Sequence, residues 1–201
     1  MDGEPEWRAV ERMQLGAPDE YGQSGFQGDA ARWEALRRPV VAGVNMSGAF
    51  LDIGCANGLL LESVVKWGAE RGDRLEPYGL DHSAALVELA RKRLALGEDR
   101  VFVGDAADWE PPRRFDFVRT ELEVVPGARR REFVERLIAK VVGFRLIVAS
   151  YGTRGGVPPA EDVGALLRSW GLDVRGEAEG RDPWSGKTLT RVAWVQKQER
   201  R

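Results

Sequence analysis

The sequence predicts a doubly wound α/β fold, a mostly parallel sheet that ends in an antiparallel hairpin. Three observations predict it. Five short apolar runs alternate with amphipathic helical stretches, the rhythm of right-handed β-α-β crossovers. The first run ends in an acid and then a glycine-bearing turn at the mouth of a helix. The last third abandons the rhythm. Two strand-like runs follow one another there without a crossover helix, so they must pair antiparallel.

Residues 1–28 are rich in Gly, Pro, Glu and Gln, with Trp7, Tyr21 and Phe26 scattered among them. They are expected to form a flexible arm with at most a short helix, and residues 29–201 the single domain. Asp29 is placed to cap a helix carrying Trp33, Leu36, Val40 and Val44 at helical spacing, with Pro39 able to bend it. The first strand is AFLDIG, ending at Gly54, and the helix NGLLLESVVKWG buries Leu60, Leu61, Val64 and Val65. A second strand over Tyr78–Asp81 leads into SAALVELARKRLAL, with Gly97 expected as its C-cap. RVFVGD and FDFVRT supply strands three and four. Val134, Leu137, Ile138 and Val141 mark the next helix at i, i+3, i+4 and i+7. FRLIVASY is the fifth strand. After the helix DVGALLRSWG, the runs LDVRGEAEG and TLTRVAWVQKQ flank RDPWSGK, making seven strands in all. Trp33, Trp170 and Trp194 fall on apolar faces and are expected in the core.

Composition removes several chemistries. Net charge is −2, so whole-molecule attraction to nucleic acid is not expected, and Arg129–Arg131 near Arg113 and Arg114 reads as a solvated face. Cys55 is the only cysteine and His82 the only histidine. An internal disulfide, a cysteine metal site, a Ser-His-Asp triad and multi-histidine metal chemistry are therefore ruled out, and no metal is expected. MDGEPEWRAV lacks the apolar core of a signal peptide, and no apolar run approaches the ~20 residues of a membrane span. The cytoplasm is the expected location.

The turn after strand one reads Asp52-Ile53-Gly54-Cys55-Ala56-Asn57-Gly58. Ligands of such sheets bind at the carboxyl ends of strands, where strand order reverses. A dinucleotide fingerprint would need glycines at 54, 56 and 59, but Ala56 and Leu59 break it, and no GxxxxGK[ST] is present. Asp52 would repel a pyrophosphate and attract a ligand bearing an ammonium and a sulfonium. A cationic nucleoside is the better match.

With these residues the chain resembles the class I S-adenosylmethionine-dependent methyltransferase family, over about residues 30 to 197, with a Rossmann-like sheet. FLDIGCANG is similar to its glycine-rich first motif, Ala56 standing for the middle glycine. The resemblance implies that Asp52, Gly54, Cys55, Asn57 and Gly58 surround the cofactor, and that Asp81 takes the ribose hydroxyls with His82 beside it. It implies that Gly104, Asp105 and Ala106 of VGDAADW meet the adenine. Arg119 and Thr120, within FDFVRTELEVVP, would line the site below the methyl group. It implies S-adenosylmethionine as cofactor and S-adenosylhomocysteine as product. SGFQGDAARWE, before the first motif, is similar to a bacterial subgroup in which this stretch covers the cofactor.

Side-chain chemistry is less marked. Cys55 fits the turn as a small residue, since only His82 could serve it as a base. His82 reads as a wall beside the nucleoside, and Trp109 either stacks on the purine or packs. Asp116 begins strand four, as a turn residue or a site residue. The absence of Asn/Asp-Pro-Pro-Tyr/Phe after strand four, where Arg119-Thr120-Glu121-Leu122 stands, argues against amine methylation of a nucleobase or glutamine. Glu121, Glu123 and Tyr151 are the catalytic candidates, at the ends of strands four and five. The expected acceptor is a small molecule offering O or N. An RNA or protein methyltransferase and a nucleoside-binding module without turnover remain alternatives.

Overall fold

Alternation along the strands decides what each face of the sheet carries. In β1 (Gly48–Ile53), Phe50 and Asp52 share one face and Leu51 and Ile53 the other, and all four are buried. The structure, a computed structural model, describes residues 6–153 and 158–197. The first five residues of the expected arm and residues 198–201 lie outside the described residues. β2 (Leu75–Asp81), β3 (Val101–Val103), β4 (Phe115–Glu121), β5 (Val142–Tyr151), β6 (Val174–Arg181) and β7 (Thr188–Gln196) complete a seven-stranded sheet. Its order is β3-β2-β1-β4-β5-β7-β6. Strands β1 to β5 run parallel, and β7 enters antiparallel between β5 and β6. The doubly wound sheet with its terminal hairpin is as the sequence predicts. Strand order reverses between β1 and β4, so a crevice opens above their carboxyl ends.

Among the described residues seven α-helices accompany the sheet: α1 (Glu6–Leu15), α2 (Glu20–Gln23), α3 (Ala30–Arg37), α4 (Leu59–Ala69), α5 (Ala84–Leu94), α6 (Arg130–Arg136) and α7 (Val163–Ser169). Phe50, Phe117, Ile147 and Ala149 pack against Trp33, Leu36, Leu61 and Val64 on one face. Leu51, Val118, Leu146 and Val148 pack against Val134, Leu137, Val163 and Leu167 on the other.

Three details depart from the sequence expectation. The segment before Asp29 holds two helices rather than at most one, α2 being capped by Asp19, which accepts from Gly22 N. β2 starts at Leu75 instead of Tyr78; Glu76 and Pro77 mask the apolar run, and Pro77 has no N–H to give the ladder. α5 stops at Leu94 because Ala95, at φ +53°, turns left-handed, two residues before the expected cap Gly97. Pro39 behaves as expected: α3 passes at Arg38 into a 3-10 turn over Arg38–Gly43. Trp33 is fully buried in the core, with Trp170 and Trp194 half-buried against it.

α3 is pinned at three points. Arg32 forms a buried ion pair with Asp182 at 2.6 Å, Trp33 Nε1 donates to Ser63 Oγ at 3.0 Å, and Thr190 Oγ1 donates to the Leu36 carbonyl at 2.7 Å. Arg32 holds the Asp182 carboxyl well below the usual carboxylate range. These contacts fix the last turn of α3 above the ends of β4 and β5.

Candidate active site

The loop after β1 is shaped by backbone hydrogen bonds. Gly54 N and Cys55 N both donate to the Leu80 carbonyl, Ala56 N to Asp81 Oδ2, Gly58 N to the Cys55 carbonyl and Leu59 N to Asn57 Oδ1. Gly54 and Gly58 sit at φ +82° and +78°, where a side chain would be strained. A Cβ at Gly58 would also lie 3.0 Å from Ala90 Cβ, pushing α4 from α5. Ala56 occupies the same left-handed region at φ +46°, so the residue replacing the middle glycine is held in a glycine conformation.

Cys55 is turned away beneath this loop. It packs with Val87, Ala90 and Val101, and burial pushes its thiol well above the ordinary value, which suits a spacer and not a nucleophile. Asn57 is buried and its amide bridges to the Glu20 carbonyl at 2.9 Å, tying α2 to the loop.

Asp81 ends β2 with both oxygens engaged. Oδ2 accepts from Ala56 N at 2.9 Å and Oδ1 from Ser83 N at 2.9 Å. Each oxygen keeps a further lone pair. His82 stands exposed beside it, Nδ1 at 3.5 Å from Oδ1, and meets Trp7 of α1 edge-on at 4.8 Å. Ser83 Oγ donates to Glu11, a second tie between α1 and this rim. Asp105 is exposed, and its Oδ1 accepts from Ala107 N at 2.8 Å while Oδ2 is uncommitted. Trp109 is partly buried and packs on Phe102 and Phe115 and against Gly104, at the edge of the core. Asp116 caps the opposite end of the sheet by accepting from Ala49 N, far from the crevice. The basic patch is neutralised locally, with Arg129, Arg130 and Arg131 facing Asp108, Glu161 and Glu135.

A charge cluster occupies the other half of the crevice. Asp52 and Arg119 are register neighbours on β1 and β4, so their side chains share the face covered by α3. Arg119 is 1% exposed; Nη1 donates to Asp52 Oδ1 at 2.9 Å, and Nη2 to Glu121 Oε1 at 2.6 Å and to Tyr151 Oη at 2.9 Å. Burial pushes the Asp52 carboxyl up to about 6 and Arg119 limits the rise. Tyr151 is pushed up by the same desolvation, which keeps the phenol protonated at neutral pH. Thr120 is buried and donates to the Glu121 carbonyl. Glu123, 53% exposed, sits outside the cluster and faces Arg130 at 3.8 Å.

Sequence reading missed Arg37, Trp7, Glu11 and Glu20. The first lies on an apolar helical face with Trp33 and Leu36, the one local signal that it points inward. Nothing local marks the others, which reach the crevice through the folding-back of residues before Asp29.

The donor set suits a cationic nucleoside better than a dinucleotide. The loop N–H groups named above are committed internally and leave no nest for a pyrophosphate. Asp52 Oδ2, in contrast, is buried and has no hydrogen-bond partner among the described residues.

Residues 50–141 match the family model described as "Methyltransferase domain". Over that stretch the protein carries a methyltransferase domain of the kind that uses S-adenosylmethionine. No curated protein matches it at the level of sequence. Solved structures share the fold at low identity. The N-methyltransferase NodS from Bradyrhizobium japonicum WM9, in complex with S-adenosylhomocysteine, matches at TM-score 0.70 and 11% identity, covering 96% of this chain and 98% of NodS. The 1,6-didemethyltoxoflavin-N1-methyltransferase from Burkholderia thailandensis matches at TM-score 0.63 and 18% identity, covering 99% of this chain and 94% of that one. Magnesium protoporphyrin IX methyltransferase from Synechocystis PCC 6803, with bound S-adenosylmethionine, matches at 0.60 and 17%, covering 96% of each chain. Among the described residues no helix is long and apolar enough to cross a membrane, and no cluster of ligating side chains could hold a metal ion.

Proposed function

We propose that this enzyme methylates an O or N atom of a small-molecule acceptor held at the carboxyl ends of β4 and β5. The observation that carries the reading is the Arg119–Glu121–Tyr151 cluster, three polar groups joined by hydrogen bonds of 2.6 and 2.9 Å at those strand ends. The small scale of the acceptor is supported by the near-neutral charge. NodS and the didemethyltoxoflavin enzyme, named as N-methyltransferases, are consistent with nitrogen as the target.

In this reading Asp81 receives the ribose hydroxyls through its remaining lone pairs. Asp105 and Ala106 meet the adenine amino edge, and Gly54 and Gly58 let the backbone lie close. Asp52 Oδ2 accepts from the methionyl ammonium. α1 and α2 act as a lid, held to the nucleoside end by the Trp7–His82 and Glu11–Ser83 contacts.

S-adenosylmethionine supplies an electrophilic methyl group on sulfur, and in-line transfer leaves S-adenosylhomocysteine. The chain contributes position and exclusion of water, effects worth up to ~7–11 kcal/mol for well-oriented reactants. Tyr151 Oη already accepts from Arg119, so its own hydrogen is free to orient the acceptor. The Glu121 carboxylate, one-third exposed, can receive the proton that the acceptor loses and pass it to solvent.

A panel of small amines, carboxylic acids and phenols, assayed for S-adenosylhomocysteine release, tests the proposal. Release with one class supports it. Release only with RNA or protein substrates removes the small-molecule reading, and cofactor binding with no release under any substrate leaves a binding module.

A further inference from the structure

The loop that leaves β3 is gripped from outside by Arg136, the last residue of α6. Its Nη1 donates to the Trp109 carbonyl at 2.9 Å and its Nη2 to the Ala106 carbonyl, so one planar fork holds the loop at two points. Its Nε is buried and has no hydrogen-bond partner among the described residues. Within the loop, Asp108 N and Trp109 N donate to the Asp105 carbonyl at 3.1 and 2.8 Å, and Gly104 N donates to the Asp81 carbonyl at 2.9 Å. Ala107 N donates to Asp105 Oδ1 at 2.8 Å. The Ala106 carbonyl and the Ala107 N–H belong to one planar peptide group. A cation on its oxygen polarises that group and strengthens the bond its N–H gives to the carboxylate. Arg136 thus reaches Asp105 Oδ1 through a single peptide plane, and holding Oδ1 decides where Oδ2 points.

We propose that Arg136 is a positioning residue for cofactor selection: through the Ala106–Ala107 peptide it holds the Asp105 carboxylate in the orientation that reads the adenine amino group. The inference rests on the methyltransferase reading, in which Asp105 and Ala106 meet that edge of the base. Asp105 is exposed, and the terminal torsion of an exposed carboxylate is broad unless a partner fixes it. A fixed carboxylate discriminates by chemistry. Its oxygen accepts from the amino group of adenine and repels the carbonyl oxygen that hypoxanthine carries at the same position, so the deaminated nucleoside is excluded. Lysine at position 136 would supply the charge without the planar fork, and would hold one carbonyl instead of two.

The test measures, by calorimetry on the full chain, the affinities of S-adenosylhomocysteine and of its deaminated analogue, S-inosylhomocysteine. The unaltered protein is expected to prefer the adenosyl ligand by about tenfold or more, the scale of a charge-assisted bond. Arg136→Met should lower that ratio severalfold by weakening the adenosyl ligand alone, and Arg136→Lys should restore part of it. A merely structural role would weaken both ligands together and leave the ratio unchanged, and that result overturns the inference. Asp105→Ala should erase the preference, and adding Arg136→Met to it should change the ratio no further. A preference that survives Asp105→Ala, a further change in the double variant, or no preference in the unaltered protein each overturns the inference. A crystal structure of the unaltered S-adenosylhomocysteine complex decides the matter even where neither Arg136 variant folds. Asp105 Oδ2 at ~2.7–3.2 Å from the adenine amino nitrogen, with the guanidinium on both carbonyls, upholds it, and the loss of either contact overturns it. A protein that binds neither nucleoside fails the methyltransferase reading instead. Hydrogen exchange of the Ala107 amide then tests the relay alone: faster exchange in Arg136→Met upholds it, and equal exchange overturns it.

Discussion

The two ends of the crevice are built by different means. At the nucleoside end, Asp81 and the loop at residues 54–58 organise one another through backbone N–H groups, and the nearest ring, His82, is half exposed. At the other end, Asp52, Arg119, Glu121, Tyr151 and Arg37 come from three strands and a helix; Asp52, Arg119 and Arg37 are buried, and Glu121 and Tyr151 are partly buried beside them. Disruption at the first end should cost ligand affinity, while disruption at the second should cost the fold before it costs chemistry.

The largest expected effect breaks the second end. Arg119→Met leaves Asp52 and Glu121 without their cation, and removing one partner of a buried pair costs about 3–5 kcal/mol. Chemical denaturation should show that loss, and Asp52→Leu combined with Arg119→Met should recover much of it. A single-mutant loss below about 1 kcal/mol would mean that water reaches the pair and that the two ends are alike.

At the nucleoside end, Asp81→Ala should weaken S-adenosylhomocysteine by about tenfold or more, since charge-assisted bonds contribute roughly 1.5–3 kcal/mol each without adding fully. Asp81→Asn should retain part of the affinity, because an amide oxygen can still hold one of the two N–H groups at Ala56 and Ser83. Calorimetry checks both. Unchanged affinity in a folded variant would remove Asp81 from the site.

Asp52 ties the ends together through pH. Its folded-state value of about 6 lies above the ordinary 3.8, so folding raises its proton affinity. This group's contribution to stability is therefore present below pH ~4 and lost as pH rises through about 6. Binding runs the other way, since only the carboxylate attracts an ammonium. Affinity for S-adenosylhomocysteine should fall as pH drops through about 6, and Asp52→Asn should flatten that dependence. A profile that stays steep in the variant would assign it elsewhere.

The contrast also explains what the sequence could tell. The seven strands, the loop glycines and Asp81 were legible because alternation, helical spacing and a strand-end acid are local signals. β2's early start was hidden by Glu76 and Pro77, and the cap at Ala95 by a residue with no glycine freedom. Asp52, Arg119, Glu121 and Tyr151 were each named from the sequence, but not their hydrogen bonding to one another, because register between β1 and β4 is a long-range fact. Arg37 was hidden more deeply: its place over the Tyr151 ring depends on α3 being held by Ser63, Asp182 and Thr190, which lie far along the chain.

A smaller effect separates chemistry from scaffold at the acceptor end. Tyr151→Phe keeps the ring beneath Arg37 and removes only the hydroxyl that accepts from Arg119. Once an acceptor is found, turnover should fall severalfold with S-adenosylhomocysteine affinity nearly intact, and Glu121→Gln should act likewise. Full turnover in both would leave positioning as the whole of catalysis.

The smallest effect concerns the lid at the nucleoside end. α1 touches the rim through Trp7 on His82 and Glu11 on Ser83, yet Trp7, Val10 and Met13 stay exposed, so few buried contacts hold the helix down. An aromatic pair of this kind is worth ~0.5–1.5 kcal/mol, enough for a modest closed population and little more. Bound nucleoside beside His82 would add contacts to that closed state alone, which is the condition for shifting it. Arg8 and Arg12 lie within α1 and offer trypsin its cleavage points. Cleavage there should slow severalfold when S-adenosylhomocysteine is added, and Trp7→Ala should abolish most of the protection while weakening the ligand only slightly. Equal cleavage with and without ligand would show that α1 rests on the rim without responding to the site, and would leave the crevice open at its nucleoside end.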